Sequence, residues 1–143
     1  FWTDAESKVA FVTGDTVQFW GLTKGLTVTG GTFDLDGNAE SGLFLTGFNQ
    51  PVVRNVKIIG SALFGIYVRD CCEDDISHCT FQKAGDPTSP DAGYSGQFGY
   101  GLIHAYSCYS RVSNCIGYEG WHTFEAADGQ RDITYTDCMV LRC

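Results

Sequence analysis

Short apolar–polar alternations, each bounded by glycine or a turn residue, recur along this chain at nearly constant spacing. Ile76-Ser-His-Cys-Thr-Phe81 is the clearest unit. The same template fits Val28-Thr-Gly-Gly-Thr-Phe33, Val53-Arg-Asn-Val-Lys-Ile58, Val112-Ser-Asn-Cys-Ile-Gly117 and Tyr135-Thr-Asp-Cys-Met-Val140. The first residues of these units lie 25, 23, 36 and 23 positions apart, and a period in the low twenties predicts a solenoid with one coil per repeat. A second family, Gly42-Leu-Phe-Leu-Thr46, Gly65-Ile-Tyr-Val-Arg69 and Gly101-Leu-Ile-His-Ala105, starts 11 residues before the anchor of its own coil. Both families alternate with period two, so they are strands, and nothing carries a helical stripe. Val9 to Thr13 and Val17 to Trp20 read as short entry strands. Residues 1–24 are thus expected to lead into the first coil, and residues 25–143 to form about five parallel coils.

The step of 36 carries an excess of about 13 residues over its neighbours. That excess must leave the coil between Phe81 and Gly101, and the Gly/Pro/Ser-rich run from Gly85 to Gly96 reads as a loop inserted at about 84–98. Insertions in solenoids concentrate on the binding face. Tyr94 and Phe98 are therefore expected to close over a ligand beside Tyr67.

Stacking the coils about 4.8 Å apart puts equivalent residues in columns. One column holds Gly31, Val56, Cys79, Cys115 and Cys138, and another holds Cys72 and Cys108. Seven cysteines can form a disulfide framework with one left over. Side chains on adjacent parallel strands point the same way, however, which favours free, buried thiols packed as small apolar residues. Vicinal Cys71 and Cys72 then face one inward and one outward. Asn55, His78, Asn114 and Asp137 precede the cysteine column and suit a bend that needs polar, turn-tolerant residues. Asp74 and Asp75 fall in a ladder in which Asp75 aligns with Arg111 and Asp132, and Asp74 with Ser110 and Arg131, as on a solvated face.

Aligning Gly42, Gly65, Gly101 and His122 stacks Phe44, Tyr67, Ile103 and Phe124 outward, with Leu43, Ile66 and Leu102 inward. The last coil needs a two-residue bulge to keep this alignment. An outward aromatic row is either a platform for sugar rings or a contact with another chain. Phe44, Tyr67, Arg69, Tyr94, Phe98 and His122 are the resulting substrate-binding candidates. Glu125, Asp128, Asp70 and His104 are the catalytic ones. His104 and Glu125 fall in a nominally inward column after Leu45 and Val68, where they either bond to each other or form an acid–base pair tuned by burial. Carboxylates one coil apart would stand about 5 Å apart and two coils apart about 10 Å, near the retaining and inverting separations of glycosidases; Asp70 and Asp128 are two coils apart.

The composition narrows the function further. At 143 residues, 43% hydrophobic and 18% charged, the chain fits one globular domain. Its apolar runs fall short of the roughly 18 residues of a membrane span, and no signal-like segment is present. It opens on Phe1 rather than Met and stops at Cys143 within a repeat, so a piece of a longer protein is expected. A net charge of −8 with nine scattered basic residues argues against nucleic acid and against an anionic membrane surface. Three histidines without ligand spacing argue against a metal site.

The repeat from Gly65 to Phe81, preceded by Val28-Thr-Gly-Gly-Thr-Phe-Asp-Leu-Asp-Gly37, resembles the right-handed parallel β-helix proteins of the pectate-lyase-like superfamily. The segment from Trp121 to Cys138 is similar to coils of phage tail spikes and related polysaccharide-acting β-helices. The resemblance spans about residues 17 to 143. It implies an all-β, right-handed, single-stranded parallel β-helix. It also implies a tail spike on the virion tail, or otherwise extracellular, that forms a homotrimer and binds a cell-surface or capsular polysaccharide. If it degrades that polysaccharide, hydrolysis is favoured. A lyase would need basic residues against a uronate, often with Ca²⁺, and the chain offers only Lys8, Lys24, Lys57 and Lys83. Otherwise no cofactor is expected. Two alternatives remain: a non-enzymatic or receptor-binding shaft, and a secreted cell-wall enzyme like the pectate lyases or polygalacturonases. Of the polygalacturonase blocks, Asp74-Asp75 is the only echo.

Overall fold

A computed structural model describes residues 17–20, 25–35, 39–84, 99–120 and 122–141. The strands are β1 (Val17–Trp20), β2 (Thr27–Thr29), β3 (Thr32–Asp34), β4 (Ser41–Thr46), β5 (Val52–Arg54), β6 (Lys57–Ile59), β7 (Phe64–Arg69) and β8 (Asp75–Ser77). They continue with β9 (Thr80–Gln82), β10 (Tyr100–Ala105), β11 (Arg111–Ser113), β12 (Ile116–Tyr118), β13 (His122–Ala127), β14 (Thr134–Thr136) and β15 (Met139–Leu141). They form three parallel five-stranded sheets, β1-β4-β7-β10-β13, β2-β5-β8-β11-β14 and β3-β6-β9-β12-β15. Each sheet takes every third strand, so the chain winds through all three once per coil. This is the expected all-β parallel solenoid, and no helix occurs among the described residues.

The anchors are in register: Val28, Val53, Ile76, Val112 and Tyr135 pair along the second sheet. Inward residues of all three sheets form one core. It includes Leu43, Ile66 and Leu102 from the first sheet, Val53, Ile76 and Val112 from the second, and Ile58 and Phe81 from the third. The cysteine column fills the bend between the second and third sheets, with Val56, Cys79 and Cys115 buried. Outside this column, burial pushes the Cys71 thiol up to about 11.

Left-handed bends repeat as regularly as the strands. Gly30, Asn55, His78, Asn114 and Asp137 occupy one such column with φ between 52° and 72°. The amides of Asn55, His78 and Asn114 bond the carbonyls of Ser77, Ser113 and Thr136 one coil on, at 3.0–3.1 Å. Asn, Asp and His tolerate this conformation better than most side chains, so His78 holds a bend as expected.

Two expectations are corrected. In β13 the partner of Tyr100 is His122, so Thr123, not His122, stands opposite Gly101. The extra length in the last coil is one residue, and a one-residue slip exchanges the two faces of a strand. Phe124 therefore joins the inward column of Leu102 and packs against the core, whereas Glu125 takes the outward place opposite Ile103. The second correction concerns Cys72 and Cys108, which form a disulfide across Cα atoms 4.7 Å apart. They lie in a corner and not within a strand, each followed by a left-handed residue, Glu73 or Tyr109. The parallel-strand argument against bridging does not apply there. Cys71 faces inward and Cys72 is half-buried, and Cys79, Cys115 and Cys138 keep free thiols as expected.

Candidate functional site: an outward aromatic face and an adjoining corner

The first sheet presents aromatic rings outward from successive coils. Phe44 meets Tyr67 edge-on at 4.8 Å, and Tyr67 stacks on Phe64 at 4.9 Å. The run continues from Phe64 to Tyr100 at 5.8 Å and from Tyr100 to His122 at 5.2 Å, both stacked. Phe44, Tyr67 and His122 thus lie on one face, together with Phe64 and Tyr100. The last two escape a strict period-two reading because Gly65 breaks the alternation, facing Phe81 and leaving Phe64 on the outside. Glu125 stands beside this run, and burial together with its charge pushes the Tyr100 phenol up. Tyr94 and Phe98 fall outside the described residues.

Where the first sheet turns into the second, two left-handed columns carry polar and aromatic side chains. Asp70 (φ 51°), Tyr106 (53°) and Asp128 (26°) form the first, through Asp70 N–H to Ala105 O at 3.1 Å and Tyr106 N–H to Asp128 O at 2.9 Å. Gln50 (59°), Glu73 (56°), Tyr109 (57°) and Asp132 (54°) form the second. The Cys72–Cys108 bridge lies between the columns. Arg69 pairs with Asp70 at 3.4 Å and sets its guanidinium 5.7 Å from the Tyr106 ring centre. Tyr106 and Tyr109 are 53% and 57% exposed, the most exposed of the described large apolar or aromatic side chains. A groove of about 580 Å³ beside Tyr109 is lined by Gln50, Glu73, Asp74, Asp75 and Arg111.

Two expected placements change. Asp74 is not on a solvated face: it is buried, with His104 Nε2 2.9 Å from Oδ1 and Ser110 donating to Oδ2. The ladder holds between Asp75 and Arg111 but is offset in the last coil, where Arg111 pairs with Thr134 and Arg131 with Cys108. His104 points inward to Asp74 while Glu125 points outward, so the two do not meet. Among the expected catalytic residues, Asp70 and Asp128 share a column, Glu125 lies on the aromatic face, and His104 is sealed in the core. No group of three His, Cys, Asp or Glu among the described residues gathers around a metal-sized position.

The family of the right handed beta helix region matches residues 16–143. The chain belongs to the right-handed β-helix family. No curated protein matches it. Among solved structures, this β-helix is similar to a "putative glycosyl hydrolase" from Parabacteroides merdae, with a TM-score of 0.56 and 14% identity over 75% of the present chain. The match covers 43% of that protein, so the chain spans less than half its length, and the likeness shows the shared fold. Tyr109 escaped sequence reasoning, although an aromatic at a bend filled elsewhere by Gln50 and Glu73 was a readable signal.

Proposed function

We propose that this β-helix binds a cell-surface or capsular polysaccharide along the outward aromatic face of its first sheet and hydrolyses it, as part of a homotrimeric, extracellular tail spike. The observation that carries the reading is the continuous run Phe44, Tyr67, Phe64, Tyr100 and His122 across four successive strands of one sheet. At about 4.8 Å per coil such a run offers ring faces along an extended sugar chain, not at one point. Arg69 and Asp70 stand at the end of β7 beside it and supply polar contacts.

For cleavage, Asp70 and Asp128 are the proposed acid and base. They lie two coils apart in one column, roughly 10 Å between backbones. That spacing is close to the upper end of the roughly 6.5–9.5 Å of an inverting glycosidase, with Tyr106 on the rung between the two. Hydrolysis needs no excess of basic groups, and the chain has few. The test is reducing-end release from capsular polysaccharide by Asp70→Asn and Asp128→Asn. Each should lose at least about a hundredfold in rate while still binding the polymer; unchanged release by both removes the pair. The rival reading, a shaft whose aromatic face is covered by a second chain, predicts a stable trimer in which these rings are protected and no polysaccharide is bound.

A further inference from the structure

We infer that the corner between the first and second sheets holds a separate sugar subsite, centred on Tyr109 and fitted to an uncharged, hydroxyl-rich saccharide. The inference rests on the polysaccharide reading but not on the aromatic face.

Tyr109 occupies a left-handed bend that a bulky side chain rarely adopts. The fold does not demand an aromatic there, because Gln50, Glu73 and Asp132 make the equivalent bend in other coils. Nor does burial explain it, since the ring is more than half exposed. Backbone strain of this kind persists where the surroundings hold it in place. Here they do: the Tyr109 amide bonds Arg131 O at 2.9 Å, and Cys108 beside it is bridged to Cys72 of the preceding coil. The ring is thus presented on a corner fixed before any ligand arrives, which lowers the cost of binding.

The groove beneath the ring supplies the polar half of the site. Gln50 Nε2 donates to Glu73 Oε2 at 2.6 Å, orienting both side chains, and Asp75 accepts from Arg54. Arg111 adds a second guanidinium. Of the three carboxylates that line the groove, Asp74 is engaged by His104 and Ser110 and Asp75 by Arg54 from outside it, which leaves Glu73 and Arg111 as opposite charges, with donors and acceptors side by side. A polyanion or polycation gains little there, whereas sugar hydroxyls, each both donor and acceptor, match it. An aromatic ring over planar polar side chains is the chemistry that holds a sugar ring by its C–H face and its hydroxyls together. Tyr106, on the same rung three residues earlier and also exposed, offers a surface for the adjoining sugar. Asp74 contributes none of this, because its carboxylate is committed to His104 and Ser110.

The test is a glycan array carrying neutral oligosaccharides (cello-, malto-, xylo-, galacto- and chito-oligomers) and acidic ones (oligogalacturonates and sialylated glycans). It is probed with the wild type, Tyr109→Ala, Glu73→Gln and Tyr67→Ala, each first checked for an unchanged circular-dichroism spectrum. The expected result is binding to neutral glycans that Tyr109→Ala weakens about tenfold or more and Glu73→Gln weakens less. Binding confined to acidic glycans, or untouched by Tyr109→Ala, overturns the subsite. Loss with Tyr67→Ala but not Tyr109→Ala does so while leaving the aromatic-face reading standing. Indifference to both variants, or no binding at all, overturns both.

Discussion

His104 Nε2 lies 2.9 Å from Asp74 Oδ1, with neither side chain exposed to solvent. The two come from different coils, 30 residues apart, and Ser110 occupies the other carboxylate oxygen. The Leu45–Val68 column continues into His104, so an apolar stack becomes polar at this coil, and Asp74 turns in from the corner to satisfy it. The pair explains why an acidic residue beside a bend is held inside and not hydrated. Each group is there because the other is.

Removing both partners should therefore cost less than the two separate removals added together. Asp74→Leu leaves His104 and Ser110 without their acceptor inside the core and is expected to destabilise by about 3–5 kcal/mol. His104→Leu strands the carboxylate and should cost a similar amount. The combination of Asp74→Leu with His104→Leu should cost clearly less than the sum of the two single changes. Urea midpoints at a constant slope provide the measurement, and strict additivity would show that the pair is not coupled.

The Cys72–Cys108 bridge closes a loop with a sequence separation of 36. A loop of that size corresponds to about 4 kcal/mol of stabilisation through the unfolded chain. Cys108→Ala with Cys72→Ala should lower the denaturation midpoint accordingly, whereas a reducing agent should leave that double variant unchanged. Alkylating the denatured, unreduced wild type should spare Cys72 and Cys108 and label Cys71, Cys79, Cys115 and Cys138; peptide mapping reads this directly.

Burial raises the Cys71 thiol from 9.0 to about 11. A group whose folded pKa lies above its unfolded one contributes stability that is fully present below the unfolded value and is lost as pH rises through the folded value. For Cys71 that window runs from about pH 9 to 11. Melting temperatures should fall across that window, and the fall should be shallower in Cys71→Ala. An identical pH profile in the variant would remove Cys71 as a cause.

Among the described glycines, Gly65 is the one whose added Cβ would come nearest to another strand's backbone. A Cβ there would lie 2.4 Å from the Gly101 carbonyl oxygen and 2.8 Å from the Phe81 ring. The first of these is backbone and cannot swing away. Gly65→Ala should destabilise by about 1–3 kcal/mol or more, whereas Ala at Gly120, whose nearest neighbour would be 3.4 Å away, should be close to neutral. Comparing the thermal midpoints of the two variants checks the stacking distance.

The architecture was legible because a coil repeats its chemistry: the same apolar template at Val28, Val53, Ile76, Val112 and Tyr135 predicts in-register strands, and in-register strands are found. The bends at Asn55, His78 and Asn114 were legible for the same reason. The site was less so. Period two is an unforgiving ruler, and one residue of misalignment in β13 put Phe124 outside and Glu125 inside, the reverse of their places. Corners obey no such period. Asp74 and the Cys72–Cys108 bridge lie in corners, where left-handed residues redirect side chains in ways that strand alternation does not describe. The aromatic face survived because Phe44 and Tyr67 sit mid-strand, where the ruler holds.

Binding of capsular polysaccharide to the wild type and to Tyr67→Ala tests the central claim most directly. Tyr67 links Phe44 to Phe64 within the run, so its loss divides the platform without entering the core. The account predicts saturable binding by the wild type and at least about a tenfold weaker affinity in the folded variant. Equal affinity in the two proteins, or no polysaccharide binding by the wild type, would contradict it.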